Sequence, residues 1–256
     1  MIDLHSHVLF GLDDGARSVE ESVAMVREAE AEGVSVLAAT PHVRADYPTT
    51  AEQMEERLRE VTAATETAGL AVRLVAGGEL SLEEAARLPT AELQRLSLGG
   101  AGTLLVEFPY QGWPVGLDEQ LFTLRARGFR VLLAHPERNA EVAARPDRLR
   151  PLVESGVLVQ VTAASLTGTF GSLPQRAGQA LLRLGLAHVI ARDVHAAGEV
   201  RSGLGAVMRT IPDRALASRL TREAPAAILA GEELPPMPAR RALARRAFGV
   251  RTFRRS

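Results

Sequence analysis

Short apolar runs alternate along this chain with longer amphipathic ones, the pattern of a parallel sheet with crossover helices. The spacing predicts strands over residues 2–7, 34–40, 71–77, 103–108, 129–134, 157–162 and 188–191. It predicts helices over 19–32, 51–68, 117–127, 147–155 and 174–186. Ser18, with Glu21 three residues on, has the form of a capping box. Gly33, Gly69, Gly128, Gly156 and Gly185 each follow a helical stretch, where a left-handed C′ residue is needed. The alternation favours an α/β fold with a closed or nearly closed barrel over a doubly wound sheet. After residue 231 the pattern stops. Residues 232–238 read as a proline-rich linker, and beyond them lies an arginine-rich tail without an acid. The expected organisation is one catalytic domain over 1–231, then linker and basic tail over 232–256.

Composition narrows the chemistry more than the fold. With 256 residues, 46% hydrophobic and 24% charged, the chain is that of an ordinary globular protein. A formal charge of −1 argues against nucleic acid as a bulk electrostatic partner. No apolar run is long enough for a bilayer, and the N-terminus lacks a basic and apolar leader, so a cytoplasmic location is expected. The absence of cysteine excludes disulfides, thiolate metal sites and a cysteine nucleophile. All 30 basic residues are arginine, so neither a Schiff base nor a P-loop lysine is available.

Five of the six histidines fall at predicted strand ends. His5 and His7 close the first strand, His42 follows the second and His135 ends the fifth. Asp193 and His195 close the seventh as Asp-Val-His. Glu79 follows the third strand, Glu107 ends the fourth, and Asp14 lies in Leu12-Asp13-Asp14-Gly15. Alternate strand residues share a face, and parallel strands open their C-terminal ends at one mouth. Nine nitrogen and carboxylate ligands are therefore expected to converge: His5, His7, Asp14, His42, Glu79, Glu107, His135, Asp193 and His195. Taken singly, each has a bland explanation as a cap or as a strand meeting solvent; their joint placement is what points to metal. A sulfur-free set of this size suits two or three ions of Mn2+, Fe2+ or Zn2+. Closely spaced ions can clamp a phosphoryl group and generate hydroxide at neutral pH. His188 opens a strand at the opposite side and is expected to be structural.

The motifs Ile2-Asp3-Leu4-His5-Ser6-His7, Asp13-Asp14-Gly15, Thr40-Pro41-His42, Gly78-Glu79, Glu107-Phe108, His135-Pro136-Glu137-Arg138 and Asp193-Val194-His195 together resemble the PHP (polymerase and histidinol phosphatase) superfamily. Gln160-Val161-Thr162 and Phe170-Gly171 resemble its bacterial manganese-dependent protein-tyrosine phosphatases, linked to capsule and exopolysaccharide synthesis. The resemblance runs from Met1 to about Gly231. It implies a distorted seven-stranded (β/α)7 barrel and a trinuclear centre. His5, His7, Glu79 and Asp193 would hold one ion. Glu79, Glu107 and His135 would hold a second, and Asp14, His42 and His195 a third. Arg138 matches a phosphate-binding arginine, and Arg201 lies near a second. The chain departs from the family pattern at Thr162-Ala163-Ala164-Ser165 and at Arg192, which strand alternation should turn away from the metals.

The resemblance implies in-line attack of metal-bound hydroxide on phosphotyrosine, with Arg138 and Arg201 stabilising phosphoryl charge and a bacterial tyrosine kinase as protein substrate. Two alternatives stay open: a small-molecule phosphatase of the histidinol-phosphate kind, and a non-catalytic phosphoprotein-binding regulator. The tail is expected to dock on an acidic membrane or protein surface without contributing to hydrolysis.

Overall fold

The computed structural model describes residues 1–198 and 203–238. Its strands are β1 (Ile2–Asp3), β2 (Val36–Ala39), β3 (His42–Arg44), β4 (Tyr47–Pro48), β5 (Arg73–Ala76), β6 (Glu79–Leu80), β7 (Thr103–Glu107), β8 (Arg130–Ala134), β9 (Leu158–Thr162) and β10 (Val189–Ala191). They form two sheets, β1-β2-β5 and β10-β9-β8-β7-β6-β3-β4, parallel throughout except for the antiparallel pair β3/β4. The result is a mixed α/β fold with parallel-rich sheets.

The predicted strands over 34–40 and 71–77 are interrupted, and the interruption matters for the site. Beyond β2 the chain passes Pro41, which has no N–H for a ladder, and resumes as β3. Beyond β5 it passes Gly77 and Gly78 and resumes as β6. A Cβ on Gly77 would lie 3.0 Å from Thr40 Cγ2, so glycine lets the two chains close up here. The resumed segments pair His42 with Glu79 in register. The strand predicted over 2–7 is regular only at Ile2–Asp3. Further along, Ser6 bridges Val194 in parallel sense, His7 N–H donates to Val194 O at 3.0 Å, and Asp193 N–H donates to His5 O at 3.0 Å.

The helices Val19–Ala31, Ala51–Thr67, Leu117–Ala126 and Ser172–Leu184 correspond to predicted ones. Ser18 Oγ accepts from Glu21 N–H as expected. The helix predicted over 147–155 divides into a 3-10 turn, Pro146–Leu149, and the short helix Arg150–Glu154. Helices Leu82–Arg87, Thr90–Leu96, Ala163–Thr167, Leu204–Thr210 and Ala224–Ala230 were not foreseen, being too short to show a helical period. Strand alternation divides the core in two. Leu104, Val106, Leu133 and Val161 join the larger cluster with Met25 and Leu181, while Leu105, Leu132 and Ala134 join Leu4, Val189 and Ile228. No helix among the described residues is long and apolar enough to cross a membrane.

Candidate metal centre

Eight of the nine expected ligands lie at or within four residues of the C-terminal ends of β1, β2, β5, β7, β8 and β10, with His42 and Glu79 opening the resumed strands β3 and β6. Asp14 comes from the loop after β1, and the parallel arrangement gathers them all. Four of their atoms define a small hole. His5 Nε2 lies 3.2 Å from His7 Nε2, 3.2 Å from Glu79 Oε2 and 3.3 Å from Asp193 Oδ1. His7 Nε2 lies 3.5 Å from the same Glu79 oxygen and 3.4 Å from the same Asp193 oxygen. A cation with bonds of about 2.1 Å would need tetrahedral edges of about 3.4 Å. Two imidazole nitrogens pointing at one another with two carboxylate oxygens between them is a donor set made for a cation.

The remaining ligands extend the cluster. Glu79 Oε1 lies 2.8 Å from His135 Nε2, and Glu79 Oε2 lies 2.9 Å from His42 Nδ1. Asp14 Oδ1 is 3.5 Å from His42 Nε2 and 3.6 Å from His195 Nε2. Ligand atoms of His7, Asp14, His42 and His195 come together, as do those of His5, Glu79 and His135. Glu107 groups with His42 and Glu79, whereas the resemblance placed it with Glu79 and His135. Its two oxygens accept from Arg44 Nη1 at 3.3 and 3.2 Å.

Backbone geometry shows the cost of this arrangement. His135 (φ 37°) and Asp193 (φ 56°) are the non-glycine residues with positive φ among those described, and both are expected ligands. Left-handed backbone at bulky residues stores strain, which tends to persist where function requires it.

Electrostatics show what charge the cluster favours. Burial opposes the imidazolium at His5, but the Glu79 and Asp193 carboxylates outweigh it and push the group up to about 9. At His7 burial is again outweighed, here by Asp13 and Asp193, and the group is pushed up to about 10. The Glu79 and Asp193 carboxyls are buried, which raises them, yet neighbouring histidines hold both well below the usual range. The buried carboxylates thus favour positive charge at the facing nitrogens, which protons can provide. Cations on the same nitrogens would replace those protons. Buried His135 Nδ1 has no hydrogen-bond partner, and Glu79 Oε2 makes no well-aligned hydrogen bond although His42 Nδ1 lies 2.9 Å away, the geometry of donors aimed at a shared cation.

Several residues complete the site that motif reading did not assign. Asp13 accepts from His7 Nδ1 at 2.7 Å and from His42 N–H at 2.8 Å, which turns His7 Nε2 inward. Gln160 Oε1, 3.0 Å from His5 Nδ1, does the same for His5. Gly15 lets this loop pass under His7, since a Cβ there would lie 2.2 Å from His7 O. Arg44, Tyr110 and Phe170 line the cleft of about 400 Å³ with Arg138 and several ligands. Arg44 stands two residues after His42 on one strand, a spacing that could have marked it.

Arg138 is held from three sides. Nη1 donates to Asp193 Oδ2 at 2.5 Å, while its guanidinium carbon lies 4.5 Å from the Phe170 ring centre and 5.2 Å from that of Tyr110. Arg192 points away from the cluster, as expected: Nε donates to buried Asp3 Oδ2 at 2.6 Å, tying β1 to the end of β10. Arg201 lies outside the described residues.

This centre can be set beside known proteins. The family model for capsular polysaccharide synthesis, CpsB/CapC, matches residues 1–230. The chain belongs to the CpsB/CapC family. Among relatives in the family, tyrosine-protein phosphatase YwqE of Bacillus subtilis is 31% identical over 199 residues, 76% of this chain and 77% of that protein. Tyrosine-protein phosphatase CpsB of Streptococcus pneumoniae is 27% identical over 203 residues, 76% of this chain and 83% of that protein. A solved structure, from work on B. subtilis YwqE and S. pneumoniae CpsB as unique metal-dependent tyrosine phosphatases, superposes with a TM-score of 0.80 at 28% identity. The match covers 94% of this chain and all of that one.

Proposed function

We propose that this CpsB/CapC protein is a metal-dependent phosphomonoester hydrolase that removes phosphate from tyrosine on a protein, a tyrosine kinase of polysaccharide synthesis being the expected substrate. The observation that carries the reading is the four-atom hole of His5, His7, Glu79 and Asp193, beside a half-buried arginine flanked by aromatic rings. The activities named for YwqE and CpsB support it. The nine ligands would hold two or three divalent cations, with Mn2+ preferred because imidazole suits it better than Mg2+. Bound cations supply Lewis acidity toward the phosphoryl oxygens and acidify water.

The chain's own residues do the rest. Asp13 and Gln160 orient His7 and His5, so their Nε2 atoms face the hole. Arg138 presents a charged planar fork, fixed by Asp193 and the two rings, for phosphate oxygens. Tyr110 and Phe170, 43% and 42% exposed, offer aromatic faces at the cleft where a tyrosyl ring would lie. A tyrosinate leaves readily, its parent pKa being about 10.

The same reading treats the two sheets as one distorted seven-stranded barrel closed by the Ser6–Val194 bridge, with residues 1–231 as the catalytic domain. The basic tail, of which residues 239–256 lie outside the described residues, is assigned to docking on an acidic surface. Hydrolysis of a phosphotyrosine peptide, histidinol phosphate and a nucleotide diester, each with added Mn2+, tests the function. The peptide should be turned over fastest. Faster turnover of histidinol phosphate would move the protein to the small-molecule phosphatases, and no turnover of any would leave a binding protein.

A further inference from the structure

At the opposite end of the sheet from the metal cluster lies a cavity of about 370 Å³. Arg130, His188 and Arg219 line it together with Leu158, Leu234 and Met237. Residues 232–237 cross its edge as a strap. Arg219 Nε donates to Pro235 O at 2.9 Å, and Arg130 donates to Glu232 O at 2.5 Å and Ile228 O at 3.3 Å. Arg219 sits in a π-helical turn, Arg219–Glu223, a widened geometry found often at functional sites.

Apart from exposed Glu233 at the rim, the polar side chains lining this cavity are cationic or donating. Arg219 is only 3% exposed, and its Nη1 is buried with no hydrogen-bond partner. Neither Arg219 nor Arg130 forms an ion pair with a carboxylate among the described residues; both guanidinium groups meet only main-chain carbonyls. Burial lowers the pKa of both, and at Arg219 it outweighs the opposing influence of the Glu223 carboxylate, which forms no ion pair with it. His188 Nδ1 accepts from Val159 N–H at 3.1 Å, so in its neutral form the proton is on Nε2. Burial, then Arg219, hold that imidazole down to about 4, so it is neutral at physiological pH. Glu233 lines the cavity but is exposed to solvent. A buried guanidinium without an anion is costly, and the arrangement is stable only when something neutralises it.

We propose that this cavity is a second ligand site, taking a small organic oxyanion whose carboxylate or phosphate-type head meets Arg219, His188 and Arg130. The apolar body of the ligand lies against Leu158, Leu234 and Met237. The site is independent of the hydrolysis proposed above. His188 immediately precedes β10, and Asp193 follows its other end, so the ligand would sit at the foot of a strand that leads to the metal centre.

The test is a 19F NMR titration of the full-length, metal-loaded protein with 4-fluorobenzoate and, separately, 4-fluorobenzylphosphonate. The benzylphosphonate also resembles the aryl phosphate taken by the catalytic cleft, so the second site is read as the one-to-one saturable component that Arg138→Ala retains. Such a component is expected for at least one probe, and the tighter one identifies the head group. Arg219→Gln should weaken that binding by about tenfold or more, as loss of a charge-assisted hydrogen bond does. Arg138→Ala, at the catalytic cleft, should leave it unchanged. If Arg219→Gln does not fold, Met237→Trp on the half-exposed strap fills the apolar end and should weaken binding comparably. The proposal is overturned by no saturable binding of either probe, by parent-like binding in the folded Arg219→Gln or in Met237→Trp, or by loss of binding in Arg138→Ala.

Discussion

The two ends of the sheet carry opposite excesses of charge. At the catalytic end Asp13, Glu79 and Asp193 are buried among histidines whose nitrogens converge on the same carboxylate oxygens. At the other end neither Arg130 nor Arg219 forms an ion pair among the described residues, and Glu223 acts on Arg219 only from a distance. Exposed Glu233 stands at the rim, and His188 is held neutral. A protein interior tolerates a buried charge when a counter-charge completes it. The sign of each excess therefore reports the sign of what belongs there: cations at one end, an oxyanion at the other. The contrast also separates two kinds of histidine. His5 and His7 are pushed up by carboxylates, while His188 is pushed down by burial and by Arg219.

The largest effect that would break this comparison is expected at Glu79, whose two oxygens reach His5, His7, His42 and His135. Glu79→Gln should lose bound metal and reduce aryl phosphate turnover by more than the roughly 10²–10³-fold that follows removal of one transition-state donor. Metal content and kinetics measured on one preparation decide it; a fully loaded, active variant would remove Glu79 from the centre.

Arg138→Ala should lose turnover within that range of roughly 10²–10³-fold while keeping its metals. The contact to Asp193 uses Oδ2, whereas Oδ1 faces the histidines, so the ligand oxygen survives the substitution. Lysine at this position should restore only part of the rate, because a point charge lacks the planar fork. Loss of metal in Arg138→Ala would make it a positioning residue for Asp193.

Asp13→Asn leaves every ligand in place but weakens the acceptor that fixes His7. Metal affinity should fall by roughly 10–100-fold, as for other groups that orient a ligand from behind. Competition with a chelator measures it, and unchanged affinity would show that Gly15 and the loop backbone alone position His7.

A smaller effect is expected at the basic end. The folded-state pKa of His188 is lowered to about 4 from an ordinary 6.5, so the unfolded chain takes up the proton first. Its contribution to stability is present above pH 6.5 and is lost as pH falls toward 4. Between about pH 7.5 and about pH 5 the parent should lose roughly 1–2 kcal/mol more stability than His188→Gln. Urea midpoints at the two pH values, compared between parent and variant, cancel the acid response of the metal centre. Equal losses would mean that His188 titrates normally in the folded protein.

The smallest change should follow removal of residues 239–256. Aryl phosphate turnover should stay at the parent level, while association with anionic vesicles at low salt weakens. Equal association of both forms would end the docking assignment.

Much of the metal centre could be read from the chain before any coordinates. His-x-His and Asp-x-His predict pairs of ligands on one strand face, and although these residues fall just past β1 and β10, with Asp193 left-handed, the parallel arrangement still sends them to one mouth. These are local rules with a period of two, so sequence suffices. The long helices were equally legible, because 10 to 17 residues show their amphipathic stripe. What tertiary structure alone decided is how distant segments meet. Pro41 and Gly77-Gly78 break two predicted strands and set His42 against Glu79 in register. Asp13 and Gln160 became supports because folding brought them behind His7 and His5, and Glu107 was drawn to His42 and Arg44. The cationic cavity joins Arg130, His188 and Arg219 from three separate elements, with no motif to connect them. Strand period and residue chemistry are carried by neighbours in sequence; counter-charge is carried by neighbours in space, and only the fold chooses those.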